Sequence, residues 1–249
     1  MSGERMAGRV ALVTGSTRGI GLAVAERFAS EGATVVLHGP DRDEVDGVVS
    51  RVPGAVGVHG DVADPEAVVR FCAEAEQLAG PVHVLVNNAG TSVCRPFLEH
   101  TDDDWTRMLD VNVDGTVAVL RALLPGMLER GRGRIVNITS EAGLHGVPGF
   151  TAYGASKAAV AAITLALAKE LAGTGVLVNG FAPMAVTDLL RANVPEAGIA
   201  HLQAQGMPTL ERNAEEILPL ALDDAPTGEI HAIQFDGTPT AVLGGVGER

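Results

Sequence analysis

The chain alternates short, unbroken apolar stretches with longer alanine-rich stretches of helical periodicity. Apolar runs without alternation are typical of strands that are covered on both faces, as in a parallel sheet. Helical patterns separate them at residues 20–30, 65–78, 103–130 and 155–171, and right-handed crossovers would place such helices on both sides of the sheet. The pattern predicts a doubly wound α/β fold. The seven strand candidates are VALVT from Val10, TVVLH from Thr34, AVGVH from Ala55, VHVLVN from Val82, RIVNIT from Arg134, VLVNGF from Val176 and IHAIQF from Ile230.

Composition favours a single packed domain over residues 1–249, because 46% of the residues are hydrophobic and 20% are charged. A formal net charge of −13 with scattered arginines argues against nucleic acid and anionic membranes as partners. The opening residues MSGERMAGRV lack the apolar core of a secretory signal, and the longest apolar run, residues 158–168, is too short to cross a bilayer. We therefore expect a cytoplasmic protein.

Metal chemistry has no visible ligands in the sequence. Cys72 and Cys94 are isolated, and the seven histidines form no HxxH or HxxxH pair. The two cysteines are interpreted as packing residues, and the expected chemistry needs no metal.

A glycine-rich segment, TGSTRGIG, joins the first strand candidate to the following helix. Gly15, Gly19 and Gly21 leave room for a sharp turn and for close approach of a ligand, and the helix N-terminus offers free N–H groups to a phosphate. The segment predicts a pyrophosphate site, although an ordinary glycine-rich turn gives the same pattern.

The end of the second strand predicts which dinucleotide binds. An acidic residue there selects the ribose hydroxyl of NAD, whereas this chain has His38, Gly39 and Pro40. Arg18 in the glycine loop is a candidate partner for a 2′-phosphate. NADP(H) is therefore favoured over NAD(H), although Asp41 follows closely.

Polar residues also follow the third and fourth strands. Asp61 stands in GDVAD, and Asn88, Ala89 and Gly90 belong to NNAG. These residues line the same edge of the predicted sheet as the glycine loop, but each alone is equally consistent with helix capping or with satisfying loop backbone.

Tyr153 is the only tyrosine and lies four positions before Lys157, so a helix places both side chains on one face. An ammonium about 5 Å from a phenol contributes about 3 kcal/mol at an effective dielectric constant of about 20. We therefore expect Lys157 to lower the pKa of Tyr153 and make it a proton donor and acceptor.

Ser140, or Thr139 if the register differs, is a candidate donor to a carbonyl oxygen. Asn112 is poorly suited to a helix interior and is either tolerated or functional.

Taken together, TGSTRGIG, Asp61, NNAG, Asn112, Ser140, Tyr153 and Lys157 resemble the classical short-chain dehydrogenase/reductase family over residues 9–237. The resemblance implies a Rossmann-like fold and a catalytic tetrad. In it Tyr153 transfers the proton, Ser140 orients the carbonyl, Lys157 binds the nicotinamide ribose and Asn112 holds a relay water. It implies dinucleotide contacts from Ser16, Arg18, Ile20, Asp61, Val62 and residues 88–90. The chain looks most like 3-oxoacyl-carrier-protein reductases and related ketoreductases.

Two regions depart from the family pattern. Pro183 is followed by Met184 instead of glycine, and Thr187 is one residue nearer the proline than is usual, so Val186 and Thr187 are the expected substitutes for the nicotinamide contact. The segment between residue 215 and the last strand is shorter than in most relatives. Since that region commonly builds subunit contacts in the family, a homo-oligomer, tetramer or dimer, is expected.

Substrate contacts are expected from residues 91–97, 141–150 and the substrate loop at about 184–210. The lining is predicted to be mainly apolar, with His145 as a polar exception that is better explained as a loop-surface residue than as a catalyst. A free hydrophobic ketone and an acyl thioester both remain open. The candidate lining residues are Val93, Leu144, Val147, Phe150, Met184, Leu189 and Met207.

The leading hypothesis is an NADPH-dependent ketoreductase that acts on a small-molecule ketone, or in reverse on a secondary alcohol. One alternative is a dinucleotide-binding regulatory or scaffold protein that has lost turnover, suggested by the altered loop. Another is an epimerase or dehydratase that uses the cofactor transiently.

Overall fold

The computed structural model describes residues 4–233 and 239–244. The strands form one sheet in the order β3-β2-β1-β4-β5-β6-β7-β8, in which β1 to β7 are parallel and β8 is antiparallel to β7. The predicted Rossmann-like, doubly wound fold is confirmed. The strands are β1 Val10–Val13, β2 Thr34–Gly39, β3 Val56–His59, β4 Val84–Asn87, β5 Gly133–Ile138, β6 Val176–Ala182, β7 Glu229–Ile233 and β8 Pro239–Gly244.

The prediction of seven strands was one too few. β8 was missed because it begins with proline, which cannot donate a hydrogen bond to a neighbouring strand, and ends in glycine, so its sequence lacks the apolar run of the other strands. Only its pairing with β7, from Glu229 opposite Gly244 to Ile233 opposite Pro239, identifies it. Gln234 and Phe235, included in the last predicted strand, lie outside the described residues.

Helices cover both faces of the sheet. On one face, α1, α2 and α10 pack with Met6, and on the other face α3, α5 and α7 pack together. The helices are α1 Gly19–Ser30, α2 Arg42–Val49, α3 Pro65–Ala79, α4 Asp102–Leu109, α5 Gly115–Glu129, α6 Glu141–His145, α7 Thr151–Glu170, α8 Asp188–Arg191, α9 Glu196–Ala204 and α10 Leu210–Ile217, with short 3-10 turns at Phe97–Glu99 and Leu218–Ala221.

Strand β1 shows why its sequence is apolar at every position. Ala11 and Val13 belong to the core on the α1 side, whereas Val10 and Leu12 belong to the core on the α3 side. Because side chains alternate along a strand, a strand between two helical layers needs apolar residues throughout.

The helix predicted over residues 103–130 is interrupted. A π-helical turn, Asp110–Asp114, separates α4 from α5. Asn112 lies within this turn and is fully buried, and the turn holds its side chain against neighbouring elements. Single π turns inside α-helices occur frequently at functional sites.

Two helical stretches, Asp102–Glu129 and Thr151–Glu170, are long and apolar enough to cross a membrane by length and composition. In the fold both pack against the sheet, and 44% of each apolar window is buried inside the protein. Because helices of a protein core pass the same test of length and composition, these two helices are weak evidence for a membrane span.

Candidate active site

The order of the strands reverses between β1 and β4, which is where ligands bind in open α/β sheets. A cavity of about 580 Å³ lies there, at the carboxyl ends of the strands. It brings together most of the residues predicted from the sequence. Those that line it are Gly15, Arg18, Gly19, Ile20, His38, Asp61, Val62, Asn88, Ala89, Gly90, Thr139, Ser140, Val147, Phe150, Tyr153, Lys157, Pro183, Met184, Thr187, Leu189 and Met207.

Seven of the predicted residues are not among those that line this cavity. Ser16, Gly21 and Asn112 are buried beneath its wall, and His145 is exposed. Val93, Leu144 and Val186 are partly buried without lining it.

The glycine loop is held close to the end of β4. A Cβ on Gly21 would lie 2.4 Å from both Gly15 O and Asn88 Nδ2, and Gly15 has a φ of 63°. Asn88 Nδ2 donates to Thr14 O and Gly15 O, each at 2.9 Å, and the Thr14 hydroxyl accepts from Asn88 N and Ala89 N. Side chains larger than glycine would push these two loops apart.

Ser16 ties the glycine loop to β2. Its hydroxyl accepts from His38 N at 2.9 Å, and its own N–H donates to His38 O at 2.8 Å. The hydroxyl is fully buried, so Ser16 shapes the loop from below.

His38 is a buried, neutral linker. Its Nδ1 accepts from Gly15 N at 3.2 Å, its Nε2 lies 3.1 Å from Gly60 O, and its ring packs on Phe71 with centroids 4.3 Å apart. Burial lowers the pKa of His38 to about 4. Both ring nitrogens are therefore engaged with the backbone, and β2 carries no carboxylate at its end.

A carboxylate does lie near the predicted phosphate partner, although the sequence around β2 does not suggest one. Glu44 on α2 contacts Arg18 Nη1 at 3.3 Å and accepts from the Thr17 hydroxyl at 3.2 Å. Arg18 is therefore shared between the cavity and Glu44.

Tyr153 lies over the cavity with its ring in edge contact with Phe150. Burial raises the pKa of the Tyr153 phenol above its usual value, and a side-chain hydrogen bond from Ser140 opposes that effect. The Ser140 hydroxyl also accepts from Ala142 N at 3.2 Å, which orients it. The expected fall in the Tyr153 pKa is wrong for the protein without ligand, because burial outweighs the favourable contact.

Lys157 is buried below Tyr153, and its Nζ donates to Ile138 O at 2.8 Å. Burial lowers the Lys157 pKa to about 8. A Cβ on Gly90 would lie 3.1 Å from Asn112 Oδ1, which is a tight approach, and 3.5 Å from Lys157 Nζ, which is an ordinary contact.

Asn112 links three segments from within the π turn. Its Oδ1 accepts from Thr91 N at 2.8 Å, and its Nδ2 donates to Thr91 O and to Ser156 Oγ, each at 2.9 Å. Ser156 Oγ in turn donates to Tyr153 O at 2.7 Å. Asn112 thus fixes the first turn of α7 relative to the loop after β4.

Two glycines set the distance between Ser140 and Tyr153. A Cβ on Gly143 of α6 would lie 2.7 Å from Ala158 N, and a Cβ on Gly154 of α7 would lie 2.7 Å from Ala142 O. The backbones of α6 and α7 touch because both positions lack side chains.

The departure at Met184 has a structural counterpart in α10. Asn213 is fully buried; its Oδ1 accepts from Met184 N at 3.0 Å, and its Nδ2 donates to Met184 O at 2.9 Å. The Thr187 hydroxyl caps α8 by accepting from Leu190 N at 3.1 Å. The loop is thereby anchored without glycine.

The cavity lining is mainly apolar but also includes charged and polar side chains. The further lining residues that fall within the segments predicted for substrate contacts, but were not named individually, include Thr91, Ser92, Glu141, Asp188 and Leu202. Thr17, Pro40 and Arg107 also line the cavity and were not predicted as contacts. The feature of the sequence that points to Glu141 as a cavity residue is its position directly after Ser140. Within the residues that the structure describes, no group of three or more His, Cys, Asp or Glu side chains is placed to hold a metal.

Comparison with known proteins defines the class of this site. A family model described as short chain dehydrogenase matches residues 9–197. The chain is 34% identical over 243 residues to the 3-oxoacyl-[acyl-carrier-protein] reductase FabG of Thermotoga maritima, covering 94% of this chain and 98% of the relative. It is 36% identical over 202 residues to the 2-dehydro-3-deoxy-L-rhamnonate dehydrogenase (NAD(+)) of a Sphingomonas species, covering 81% of each.

A solved structure agrees. The gluconate 5-dehydrogenase of Burkholderia cenocepacia, in complex with NADP and tartrate, superposes with a TM-score of 0.88 at 30% identity, covering 94% of this chain and 96% of that one. The fold and these relatives define an NAD(P)-dependent oxidoreductase. The chain belongs to the short-chain dehydrogenase/reductase family, which confirms the resemblance read from its motifs.

Proposed function

We propose that the protein reduces a ketone with NADPH and that Tyr153 gives the proton to the carbonyl oxygen. The observation that carries the proposal is the convergence of Tyr153, Ser140 and Lys157 on one cavity beside the glycine loop. The Ser140 side chain acts on the Tyr153 phenol and lowers its pKa against the effect of burial, so the two hydroxyl-bearing residues lie side by side in this cavity.

The residues present fit a dinucleotide. Helix α1 has no side-chain cap and no acidic residue in its first turn, and Arg18, Gly19 and Ile20 line the cavity at its start. Free N–H groups at a helix N-terminus bind phosphate. The adjacent loops stay close only because Gly15 and Gly21 lack a Cβ.

When bound, the reduced nicotinamide supplies the hydride that reaches the carbonyl carbon. The chain supplies the rest. Ser140 and Tyr153 hold the oxygen, and Tyr153 transfers its proton as negative charge develops there. Lys157 and Asn112 fix α7 and connect the site to the loop after β4.

A preference for NADP(H) is proposed from the absence of an acid at the end of β2 and from the guanidinium of Arg18. Glu44 opposes that preference, because it holds Arg18 and would repel a 2′-phosphate. We expect Glu44→Gln to raise the ratio of kcat/KM for NADPH over NADH several-fold and Arg18→Ala to lower it. An unchanged ratio in both variants, or changes in the opposite directions, would contradict the proposed roles of Glu44 and Arg18.

The function itself is tested by following nicotinamide absorbance while the protein is mixed with NADPH or NADH and a panel of ketones. Wild type should oxidise NADPH with some of them. Tyr153→Phe keeps the ring contact with Phe150 and should lose activity by at least about 100-fold. Clear cofactor binding without turnover of any ketone would favour the regulatory or scaffold alternative instead.

The names of the relatives suggest two substrate classes, a 3-oxoacyl thioester on a carrier protein and the keto form of a sugar acid. An epimerase or dehydratase would return the cofactor to its starting state and would show no net absorbance change while product forms.

We further propose that the protein acts in the cytoplasm and as a homo-oligomer.

A further inference from the structure

Glu141 is an acidic side chain directly beside a proposed catalytic residue. It follows Ser140, lines the cavity, and is 27% exposed. Its two oxygens differ: Oε2 lies 3.2 Å from His145 Nε2, whereas Oε1 is shielded from solvent and has no hydrogen-bond partner.

Glu141 has two structural roles, its place in the first turn of α6 and its pair with His145, but neither uses Oε1. His145 is 65% exposed, and a pair with i,i+4 spacing at a surface contributes only a few tenths of a kcal/mol. Buried acceptors without a partner are rare in folded proteins, and each calls for an explanation. Glu141 Oε1 therefore has unused capacity to accept a hydrogen bond, and the residue that carries it directly follows Ser140 in the wall of the cavity.

The chemistry of a carboxylate limits what it can bind. An ionised carboxylate only accepts, so its partner must carry an O–H or N–H group. An alkyl ketone whose oxygen contacts Tyr153 and Ser140 offers no donor to Glu141, whereas a hydroxylated ketone does. Because Oε1 is shielded in the protein without ligand, the carboxylate has to turn toward the cavity to meet such a hydroxyl, and the broad last torsion of glutamate permits this.

We propose that Glu141 is a substrate-specificity residue that accepts a hydrogen bond from a hydroxyl on the carbon next to the reacting carbonyl. The preferred substrates are thus α-hydroxyketones or, in reverse, vicinal diols, and not alkyl ketones. This inference rests on the proposed ketoreductase function and deepens it.

The walls of the cavity accept such a molecule. Met184, Leu189 and Met207 offer apolar surface for its carbon chain, and Ser92 adds a further hydroxyl on the side of the loop after β4. A long alkyl chain without hydroxyl groups would contact only the apolar surface and would not engage the Ser92 hydroxyl.

The test compares matched ketones with NADPH: hydroxyacetone against acetone, and acetoin against butanone. The measured quantity is the ratio of kcat/KM for the hydroxylated ketone over its partner. In Glu141→Leu this ratio should fall about tenfold to 100-fold relative to wild type, the range for one hydrogen bond to a charged acceptor. The intrinsic reactivity of the carbonyl cancels because the same ketones are used with both proteins.

Glu141→Gln keeps an acceptor of the same shape and should lose only part of the ratio. Glu74→Leu is the matched control, because Glu74 is an exposed residue of α3 outside the cavity, and its ratio should equal that of wild type.

The outcomes separate the two proposals. A ratio that is unchanged in both Glu141 variants, with activity retained, overturns the role of Glu141 and leaves the ketoreductase function standing. If Glu141→Leu does not fold, the kcat/KM ratio of Glu141→Gln alone tests the role of Glu141. Failure of wild type to oxidise either cofactor with any ketone overturns the proposed function and this inference with it.

Discussion

Among single residues, Tyr153 and Lys157 behave differently from what their spacing suggests. The ammonium does not contact the phenol but donates to Ile138 O, and burial governs the pKa of both groups. Their proximity along α7 therefore places the two groups, and the surrounding protein sets how they titrate.

Titration of tyrosinate absorbance should report Tyr153 alone, since it is the only tyrosine. In the protein without ligand we expect a midpoint above 10, and a further rise in Ser140→Ala, where the opposing hydrogen bond is lost. A midpoint below 10 without ligand would contradict the dominance of burial.

The stability of the protein should also depend on Lys157. Its pKa is about 8 in the folded state and 10.5 for a lysine fully exposed to water, so the unfolded chain holds more protons between these values. Stability from this group therefore rises with pH across that window and is lowest below pH 8. The free energy of unfolding of wild type minus that of Lys157→Met should increase by about 3 kcal/mol between pH 8 and 10.5. A difference that does not vary with pH, measured by urea unfolding, would refute this.

Among the secondary-structure elements, the site depends on how closely α6 approaches α7. The short helix α6 has five residues, too few to be stable alone, and it is held by backbone contact with α7 at Gly143 and Gly154. This contact positions Ser140 at the start of α6 relative to Tyr153 in the first turn of α7.

Gly143→Ala should therefore damage the site. The added methyl would meet backbone atoms of Lys157 and Ala158 at 2.7 to 2.8 Å, which side-chain motion cannot relieve. We expect a loss of about 1 to 3 kcal/mol in stability and a fall in kcat. Gly47→Ala on α2 is the control, because nothing lies within 4 Å of a Cβ at that position. Equal effects of the two substitutions in thermal unfolding and turnover would show that the contact is unimportant.

For the molecule as a whole, two adjacent large apolar side chains are strongly exposed in the single chain. Leu98 is 93% exposed and the adjacent Phe97 is 62% exposed, in the 3-10 turn before α4. Large apolar side chains that cluster on a surface mark contacts between proteins.

Light scattering should therefore give a molar mass that is a multiple of the mass of one chain. Replacing both Phe97 and Leu98 with serine should shift the equilibrium toward smaller species as the protein is diluted. A monomeric wild type at high concentration would contradict the predicted homo-oligomer, and an unchanged assembly in the variant would place the contact elsewhere.

Local sequence was enough to predict the layered fold and the set of polar residues at the ends of the strands. Buried strands need apolar residues at every position, and glycines mark loops where backbones touch, so both features are visible in short segments. The motifs also identified the family, because their order along the chain is preserved.

Which groups act on one another depends instead on the tertiary structure. Glu44 reaches Arg18 from α2, Asn213 holds Met184 from α10, and the shielded oxygen of Glu141 is recognisable only inside the formed cavity. The antiparallel β8 likewise exists only as a partner of β7. Pairing, burial and charge are properties of groups brought together across the chain, and no local pattern encodes them.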